Sequence, residues 1–210
     1  MNILAIETSQ PHASLALSRN GELVLQKHWL AERNHDAYLF PALQCALEML
    51  GSSTPELILV GAGPGSYGGV RVALAAAVGV AQVTEAGIAA ICSWCQLDEP
   101  GAVVVADARR GSWTVRKAGG DIQICTSEEL RAIQADGSRI LTVEPAAALR
   151  EKGITPDKDS LIPTAAGLIE TWGTMAATEQ RRVLSTPPEP IYVRPPHITK
   201  PLHKPWEIRH

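Results

Sequence analysis

Short apolar runs recur along the first half of the chain, separated by turn residues and by two longer segments with helical periodicity. Such runs, bounded by Gly, Asn, Pro or Ser, predict strands at residues 2–7, 14–17, 22–29, 57–60 and 88–92. The longer segments repeat apolar positions every three or four residues, which predicts helices at 35–50 and 70–84. The predicted order is three strands, then helix, strand, helix and strand.

The second half of the chain begins with the same pattern. Residues 103–107 (VVVAD) echo residues 4–7 (LAIE), because each run is an apolar strand that ends in a carboxylate. Each is followed by a turn and another strand, here at 112–117. The remaining elements are predicted at 127–135 (helix), 139–143 (strand), 146–152 (helix) and 165–177 (helix).

This repetition indicates the class of fold. The order of the first half is typical of a ribonuclease-H-like mixed sheet flanked by helices. Two such units in succession are typical of the actin-like architecture, in which each unit brings an acidic strand end to a nucleotide cleft. We therefore expect an α/β protein with two mixed-sheet subdomains, 1–98 and a smaller 99–210 that ends in an extended, Pro-rich tail (187–210).

Both early helices carry more apolar surface than one sheet would cover. The segment VALAAAVGVA, after Arg71, has no charge on any face, which predicts a helix buried on all sides. The 35–50 helix has one apolar stripe at Leu39, Leu43, Leu47 and Leu50, and a second beside it. Either the core-facing surface is wide, or a partner covers the second stripe. The partner interpretation assigns an interface to Tyr38, Ala42, Cys45, Met49, Ala76 and Val80.

The glycine-rich segment GAGPGSYGG, residues 61–69, follows a strand and opens a helix. Residues 63–68 match the dinucleotide fingerprint G-x-G-x-x-G. However, Pro64 removes a backbone N–H where amides should face a pyrophosphate, and no Lys-Ser/Thr follows the glycines. Two interpretations remain: a sharp turn packed closely against neighbouring backbone, or a generic anion site at a helix N-terminus. The candidate anion or nucleotide contacts are Gly65, Ser66, Gly68 and Gly69.

Charge and hydropathy narrow the functional classes. The net charge of −3 argues against a broad nucleic-acid surface. Met1 leads directly into a strand, with no basic region or cleavage site of a signal peptide. The most apolar run, 72–81, has about half the length of a membrane span. We therefore expect a soluble, cytoplasmic protein that does not contact a membrane.

Cys92 and Cys95 form a C-x-x-C, the spacing of half a zinc site or of a redox pair. No second pair and no His pair at ligand spacing completes a tetrahedral set. The following segment, 97–101 (LDEPG), indicates a turn rather than the helix that a thioredoxin-like site requires. We interpret the pair as reduced, partly buried thiols, and expect no metal.

Four segments occur in the order and spacing of the TsaB family: ILAIETS with SLALS, GPGSYGGVR, VVVADARRGSWTV and EPIYVRPP. The chain therefore resembles that family over residues 2–196. Three positions depart from the family pattern. Tyr67-Gly68 replaces the more usual Phe-Thr, Glu7 stands where Asp is commoner, and Asp36 stands where a hydroxyl residue is typical.

The resemblance implies a degenerate actin-like fold of the ASKHA class that performs no chemistry and holds no cofactor. It implies the dimerisation subunit of the bacterial tRNA threonylcarbamoyladenosine machinery, whose helices, here 35–50 and 70–84, dock against a catalytic TsaD subunit. A TsaE ATPase joins the complex, and tRNA is met only through it. Alone, the uncharged helix pair predicts a weak homodimer.

The alternative is an actin-fold ATPase or kinase that acts on its own through Glu7 and Asp107. Such an enzyme needs paired carboxylates for Mg²⁺ and a second phosphate loop in the C-terminal half. That half offers only Ala118-Gly119-Gly120-Asp121, in a hairpin-like position rather than before a helix. The residues therefore favour the non-catalytic subunit.

Overall fold

The computed structural model describes residues 1–31 and 34–193. The first sheet has five strands in the order β3-β2-β1-β4-β5. Their bounds are β1 Asn2–Glu7, β2 His12–Arg19, β3 Glu22–Leu30, β4 Leu57–Gly61 and β5 Gly87–Ile91. Strands β1 to β3 form an antiparallel meander, while β4 and β5 run parallel to β1. The β2–β3 turn places Asn20 and Gly21 at positive φ, as an Asn-Gly hairpin turn requires.

Two helices cover one face of this sheet. Helix α1 (Asp36–Leu50) lies over β2 and β3, and α2 (Tyr67–Thr84) lies over β1, β4 and β5. Leu and Ala side chains from both helices pack with the inward residues of β1, β2 and β4 in one hydrophobic core. Among the described residues, α2 is also the one helix long and apolar enough to cross a membrane by composition alone. Its packing on the sheet accounts for the apolar side that faces the core.

The second sheet repeats the strand order of the first, without the counterpart of β5. Its order is β8-β7-β6-β9, with β6 antiparallel to β7 and parallel to β9, as β1 is to β2 and β4. The elements are β6 Ala102–Asp107, β7 Ser112–Lys117, β8 Ile122–Thr126, α3 Ser127–Ala135, β9 Arg139–Thr142 and α4 Ala146–Arg150. A 3₁₀ helix, Ser93–Leu97, connects β5 to this sheet. The expected α/β, actin-like architecture with two mixed sheets is confirmed.

The last two helices return to the first sheet. Helix α5 (Ala165–Thr174) packs on the face opposite α1 and α2, together with residues of β1, β4 and β5. The Ala165 N–H donates to the Ser14 hydroxyl on β2 at 2.8 Å. Helix α6 (Ala177–Ser185) lies beside β5. Residues 165–185, which the sequence assigns to the second subdomain, therefore cover the first sheet.

Two elements differ from the sequence prediction. The edge strand β8 follows the predicted turn at residues 118–121 but carries no strand assignment in the sequence analysis. Its alternation of buried and exposed positions is weak, and pairing with β7 defines it. The single helix predicted at 165–177 is instead α5, and a second helix, α6, follows Met175 and Ala176.

Candidate functional site

The exposed side of α1 and α2 is the first candidate site. On α2, Ala75, Val78, Gly79 and Val83 lie on one side, and Val83 is 84% exposed. On α1, Tyr38 and Met49 are about half exposed, at 50% and 45%. We call these six residues the outer helical face. Large apolar side chains grouped on an exposed surface are typical of a surface that another protein covers.

The sequence placed six interface residues on these helices, and the structure separates them. Tyr38 and Met49 are exposed, and Cys45 is half-buried. Ala42 and Ala76, however, are 7% exposed and belong to the core between the helices and the first sheet. Their assignment to a partner surface is wrong, because both residues lie on the side of their helix that faces the sheet. Val80 is partly buried against the same core.

Sequence reasoning missed Val78 and Val83. The segment 72–81 is apolar all round, so its composition did not distinguish the side that faces the sheet from the side that faces solvent. The expectation of burial on every side is wrong for the isolated chain, since 40% of Val78 remains exposed. A period count that placed Ala73, Ala76 and Ala77 inward would have placed Val78 outward.

The glycine-rich loop packs against the segment that follows β1. The Ser66 N–H donates to the Ser9 carbonyl at 2.7 Å, and the Thr8 hydroxyl donates to the Gly69 carbonyl at 2.8 Å. A Cβ on Gly65 would overlap the Ser9 carbonyl, and one on Gly69 would overlap the Thr8 carbonyl. The close approach of the two backbones therefore requires glycine at both positions.

Some backbone N–H groups of this loop already donate hydrogen bonds within the protein. Ser66 is the N-cap of α2, and its hydroxyl accepts from the Gly69 N–H at 3.2 Å. With the Ser66 N–H bonded to Ser9, two of the four residues predicted to contact an anion have their amides occupied. Gly68 has no heavy atom within 4 Å of its would-be Cβ. The geometry therefore favours the packing interpretation of the loop over the anion-binding one.

A cleft of about 520 Å³ lies between the two sheets. Ser9 and Ser66 line it on one side, and Asp107, Arg109 and Glu144 line it on the other. Residues 190–193 of the C-terminal segment cross this cleft. The Ile191 N–H donates to the Ala62 carbonyl at 2.8 Å, and Tyr192 stacks on Tyr67 with ring centroids 5.2 Å apart. The rest of the Pro-rich tail, residues 194–210, lies outside the described residues.

Glu7 at the end of β1 and Asp107 at the end of β6 occupy different environments, although the sequence analysis expected both acidic strand ends at one cleft. Asp107 lines the cleft, where Lys152 Nζ contacts its Oδ2 at 2.7 Å. Partial burial acts to raise the pKa of Asp107, but hydrogen bonds from Lys152 and from the Arg109 N–H outweigh it and hold the pKa below its ordinary value. Glu7 is fully buried and does not line the cleft.

Burial raises the pKa of the Glu7 carboxyl above its ordinary value of 4.5, although the Ser9 N–H donates to Oε1 at 2.7 Å. Its Oε2 has no hydrogen-bond partner. A carboxyl of this kind keeps its proton at pH values where exposed glutamates are ionised. Glu7 is therefore unsuited to hold Mg²⁺ in the cleft.

Replacement of Glu7 by glutamine should change the pH dependence of stability. Below pH 4.5 the carboxyl is protonated in both the folded and the unfolded wild type, so it adds no pH dependence to the free energy of unfolding. Above that pH the unfolded chain ionises and the folded one does not, which costs about 1.4 kcal/mol per pH unit until the folded pKa is reached. Glu7→Gln removes this loss. Denaturant titrations at several pH values should show the free energy of unfolding of the variant rising relative to that of the wild type as the pH rises. If the two free energies instead changed in parallel with pH, the result would contradict a buried Glu7 with a raised pKa.

The four cysteines are free thiols. Cys92 precedes the 3₁₀ helix and Cys95 lies within it, so a short helical turn does follow the first cysteine, where the sequence indicated none. Within residues 1–31 and 34–193, no three His, Cys, Asp or Glu side chains are grouped as a metal site would need.

Comparisons with known proteins agree with this architecture. The family model described as "TsaD: tRNA N6-adenosine threonylcarbamoyltransferase" matches residues 29–143. The solved structure of YeaZ from Pseudomonas aeruginosa superposes with a TM-score of 0.70 at 25% identity, covering 91% of this chain and 99% of that one. A second P. aeruginosa structure, described as an uncharacterized protein with similarity to peptidase YEAZ, gives 0.69 at 24% identity, covering 92% and 99%.

Two curated proteins are each named tRNA threonylcarbamoyladenosine biosynthesis protein TsaB. The Bacillus subtilis (strain 168) protein is 33% identical over 95 residues, which is 44% of this chain and 42% of that protein. The Escherichia coli (strain K12) protein is 36% identical over 84 residues, 39% of this chain and 36% of that protein. The matched segments therefore span less than half the length of either relative.

Two mixed sheets with the same strand order and a cleft between them define an actin-like protein, and the superposition on YeaZ supports that class. Within this class, the sequence and structure matches identify one family. The chain belongs to the TsaB family.

Proposed function

We propose that the protein is a non-catalytic subunit of the assembly that makes threonylcarbamoyladenosine in tRNA. In this proposal it activates a TsaD-type catalytic subunit by docking through the outer helical face, a TsaE-type ATPase joins the pair, and tRNA is met only through the complex, in the cytoplasm. The observation that carries the proposal is an exposed apolar helical face on a chain of the TsaB family.

The composition of the outer helical face supports docking by another helix pair. Ala75 and Gly79 are small and lie one turn apart on α2, so the backbone of a partner helix could approach closely. Val78 and Val83 flank them and supply apolar area that would leave water on docking. None of these residues carries a charge whose burial would oppose association.

Three features of the cleft support a non-catalytic role. Glu7 is sealed in the interior, so only one of the two acidic strand ends reaches the cleft. The glycine-rich loop uses the Ser66 and Gly69 amides for internal hydrogen bonds. The segment 190–193 forms part of the cleft wall, where Tyr192 stacks on Tyr67 at the glycine-rich loop. Together they disfavour a kinase or ATPase that acts alone.

Co-expression with the TsaD-type protein of the same organism tests the proposal directly. A complex that survives size-exclusion chromatography, together with threonylcarbamoylation of tRNA that requires both proteins, supports it. Separate elution of the two proteins at micromolar concentration would overturn it, as would full tRNA modification by the TsaD-type and TsaE-type proteins without this chain.

The isolated protein should not hydrolyse ATP in the presence of Mg²⁺. The expected result is a rate no higher than that of an Asp107→Ala variant, because the cleft lacks a second accessible carboxylate at the β1 end. A steady-state phosphate-release assay at millimolar ATP checks this. Turnover by the wild type that Asp107→Ala abolishes would instead favour the independent actin-fold enzyme.

A further inference from the structure

The Cys92 and Cys95 side chains lie where two hydrophobic cores meet. Cys92 packs against the core of the second sheet around Trp94 and Leu141. Cys95 packs against the core beneath α5, which belongs to the first sheet. Both cysteines are half-buried. The pair thus lies at the junction of the two halves of the fold.

The backbone brings the two thiols to the same side of one turn. The Cys95 N–H donates to the Cys92 carbonyl at 3.0 Å, which closes a four-residue turn. Cys92 is the N-cap of the 3₁₀ helix and Cys95 is its third residue, so the pair spans the first turn. A closed turn holds its end Cα atoms within about 7 Å, and a disulfide accepts Cα separations of roughly 4.4–6.8 Å. A bond between the two sulfurs is therefore sterically accessible with little backbone movement.

The surrounding charges favour a thiolate at Cys95. The neighbouring Cys92 thiol lowers the pKa of Cys95 most, and the Arg116 guanidinium lowers it further, against burial and the Asp98 carboxylate, which act to raise it. The proximity of Cys95, together with burial, raises the pKa of Cys92. Arg116 is almost fully buried and is held in place by its ion pair with Asp98, whose carboxylate offsets part of the effect of Arg116 on Cys95. A fixed positive charge beside a partly exposed thiol is the usual environment of a reactive cysteine.

We propose that Cys92 and Cys95 are a redox-active dithiol that hydrogen peroxide oxidises to an intramolecular disulfide. The Cys95 thiolate attacks one peroxide oxygen; an S–O bond forms, the O–O bond breaks, and hydroxide leaves and takes a proton to become water. The Cys92 sulfur then attacks Cys95 Sγ; the S–S bond forms, the S–O bond breaks, and the leaving hydroxide carries the Cys92 proton away as a second water. Peroxide is reduced by two electrons and each sulfur gives up one.

The position of the pair connects it to other parts of the structure. Ser93, between the cysteines, donates its N–H to the Gly63 carbonyl at 2.8 Å and accepts from the Gly63 N–H at 3.1 Å. Gln96 Oε1, one residue after Cys95, accepts from the Thr164 N–H at 2.8 Å, at the start of α5. The turn that would be cross-linked therefore holds both the glycine-rich loop and α5. The proposal does not depend on the proposed function.

The test treats the reduced, full-length protein with hydrogen peroxide and maps the products by peptide mass spectrometry. A Cys92–Cys95 disulfide should form, and dithiothreitol should reverse it. Cys95 should be consumed several-fold faster than Cys45, because a lowered pKa gives a larger fraction of the reactive thiolate. The half-buried thiol of Cys45, on α1, serves as an internal control, because no second cysteine lies within three residues of it in the sequence.

Two variants separate the steps. Cys92→Ser should stop at the sulfenic acid of Cys95, which dimedone traps, and Cys95→Ser should lose the fast reaction. Circular dichroism on each variant excludes unfolding, and the mapping of the wild type stands even where a variant fails to fold. The proposal is overturned if folded wild type forms no Cys92–Cys95 disulfide, if Cys45 reacts as fast as Cys95, or if the disulfide forms equally fast in urea.

Discussion

The Val78→Glu variant should lose binding to the TsaD-type partner while remaining folded. Val78 is 40% exposed in the middle of α2, so a carboxylate there is hydrated in the isolated protein. In a complex that covers the outer helical face, the same carboxylate would be buried without a partner, at a cost of several kcal/mol. Since about 1.4 kcal/mol corresponds to tenfold in affinity, binding should weaken by two or more orders of magnitude. Pull-down and calorimetric titration measure this.

Two matched variants make the result specific. Ile124→Glu places the same charge at a similarly exposed residue, 43%, on the edge strand β8, and should leave binding unchanged. Ala76→Glu places it two residues from Val78 but in the core, and should unfold the protein, as thermal melting would show. Val78→Glu that stays folded and still binds would place the interface elsewhere.

The same variant also tests the expected weak homodimer. If the isolated chain pairs through the outer helical face, sedimentation at high protein concentration should show association by the wild type and none by Val78→Glu. A wild type that stays monomeric at every concentration would remove the homodimer from the proposal without affecting the partner complex, because a TsaD-type surface could be the better match.

The Gly69→Ala variant should lose about 3 kcal/mol or more of unfolding free energy, the upper range for forcing extra volume into a packed site. Its Cβ would overlap the Thr8 carbonyl, and neither backbone can withdraw cheaply. Thr8 directly follows β1, and its hydroxyl holds the Gly69 carbonyl at 2.8 Å. Elsewhere in a helix, Gly to Ala would stabilise by up to about 1 kcal/mol, so the expected loss opposes the intrinsic preference. Denaturant-induced unfolding measures it.

Gly68→Ala is the matched control, because Gly68 lies in the same helical turn and its would-be Cβ meets nothing within 4 Å. This variant should be neutral or slightly more stable. Equal stabilities of Gly68→Ala and Gly69→Ala would show that the loop tolerates a side chain at Gly69, and would reopen the anion-site interpretation of the loop. A large loss at Gly69 alone supports close backbone packing as the reason for the glycine.

The order of the elements was predictable because each depends on local pattern. The apolar runs of β1, β4 and β6, the Asn-Gly turn after β2, and the repeated strand–turn–strand of the second half all appear where the sequence placed them. The helix predicted at 70–84 was also found, although α2 begins three residues earlier, at Tyr67. These features are decided within a few residues along the chain, by periodicity and turn chemistry.

Features that depend on contacts between residues far apart in the chain were harder to predict from the sequence. Strand β8 has too little alternation to be recognised before it pairs with β7, and the return of α5 and α6 to the first sheet has no local signal. The rotation of α2 about its axis was equally undecided, because all its sides are apolar and only the sheet beneath it selects Ala76 for the core and Val78 for the surface.

Glu7 and Asp107, the two acidic strand ends, show most clearly which properties the sequence determined and which required the tertiary structure. The sequence alone determined that an apolar strand ending in a carboxylate occurs twice, which indicated the actin-like class, and that four segments resemble the TsaB family. It did not determine that Glu7 is fully buried, with a raised pKa, while Asp107 reaches the cleft and pairs with Lys152. That difference arises because burial and charge pairing are set by neighbours far along the chain, and only the tertiary structure brings those neighbours together.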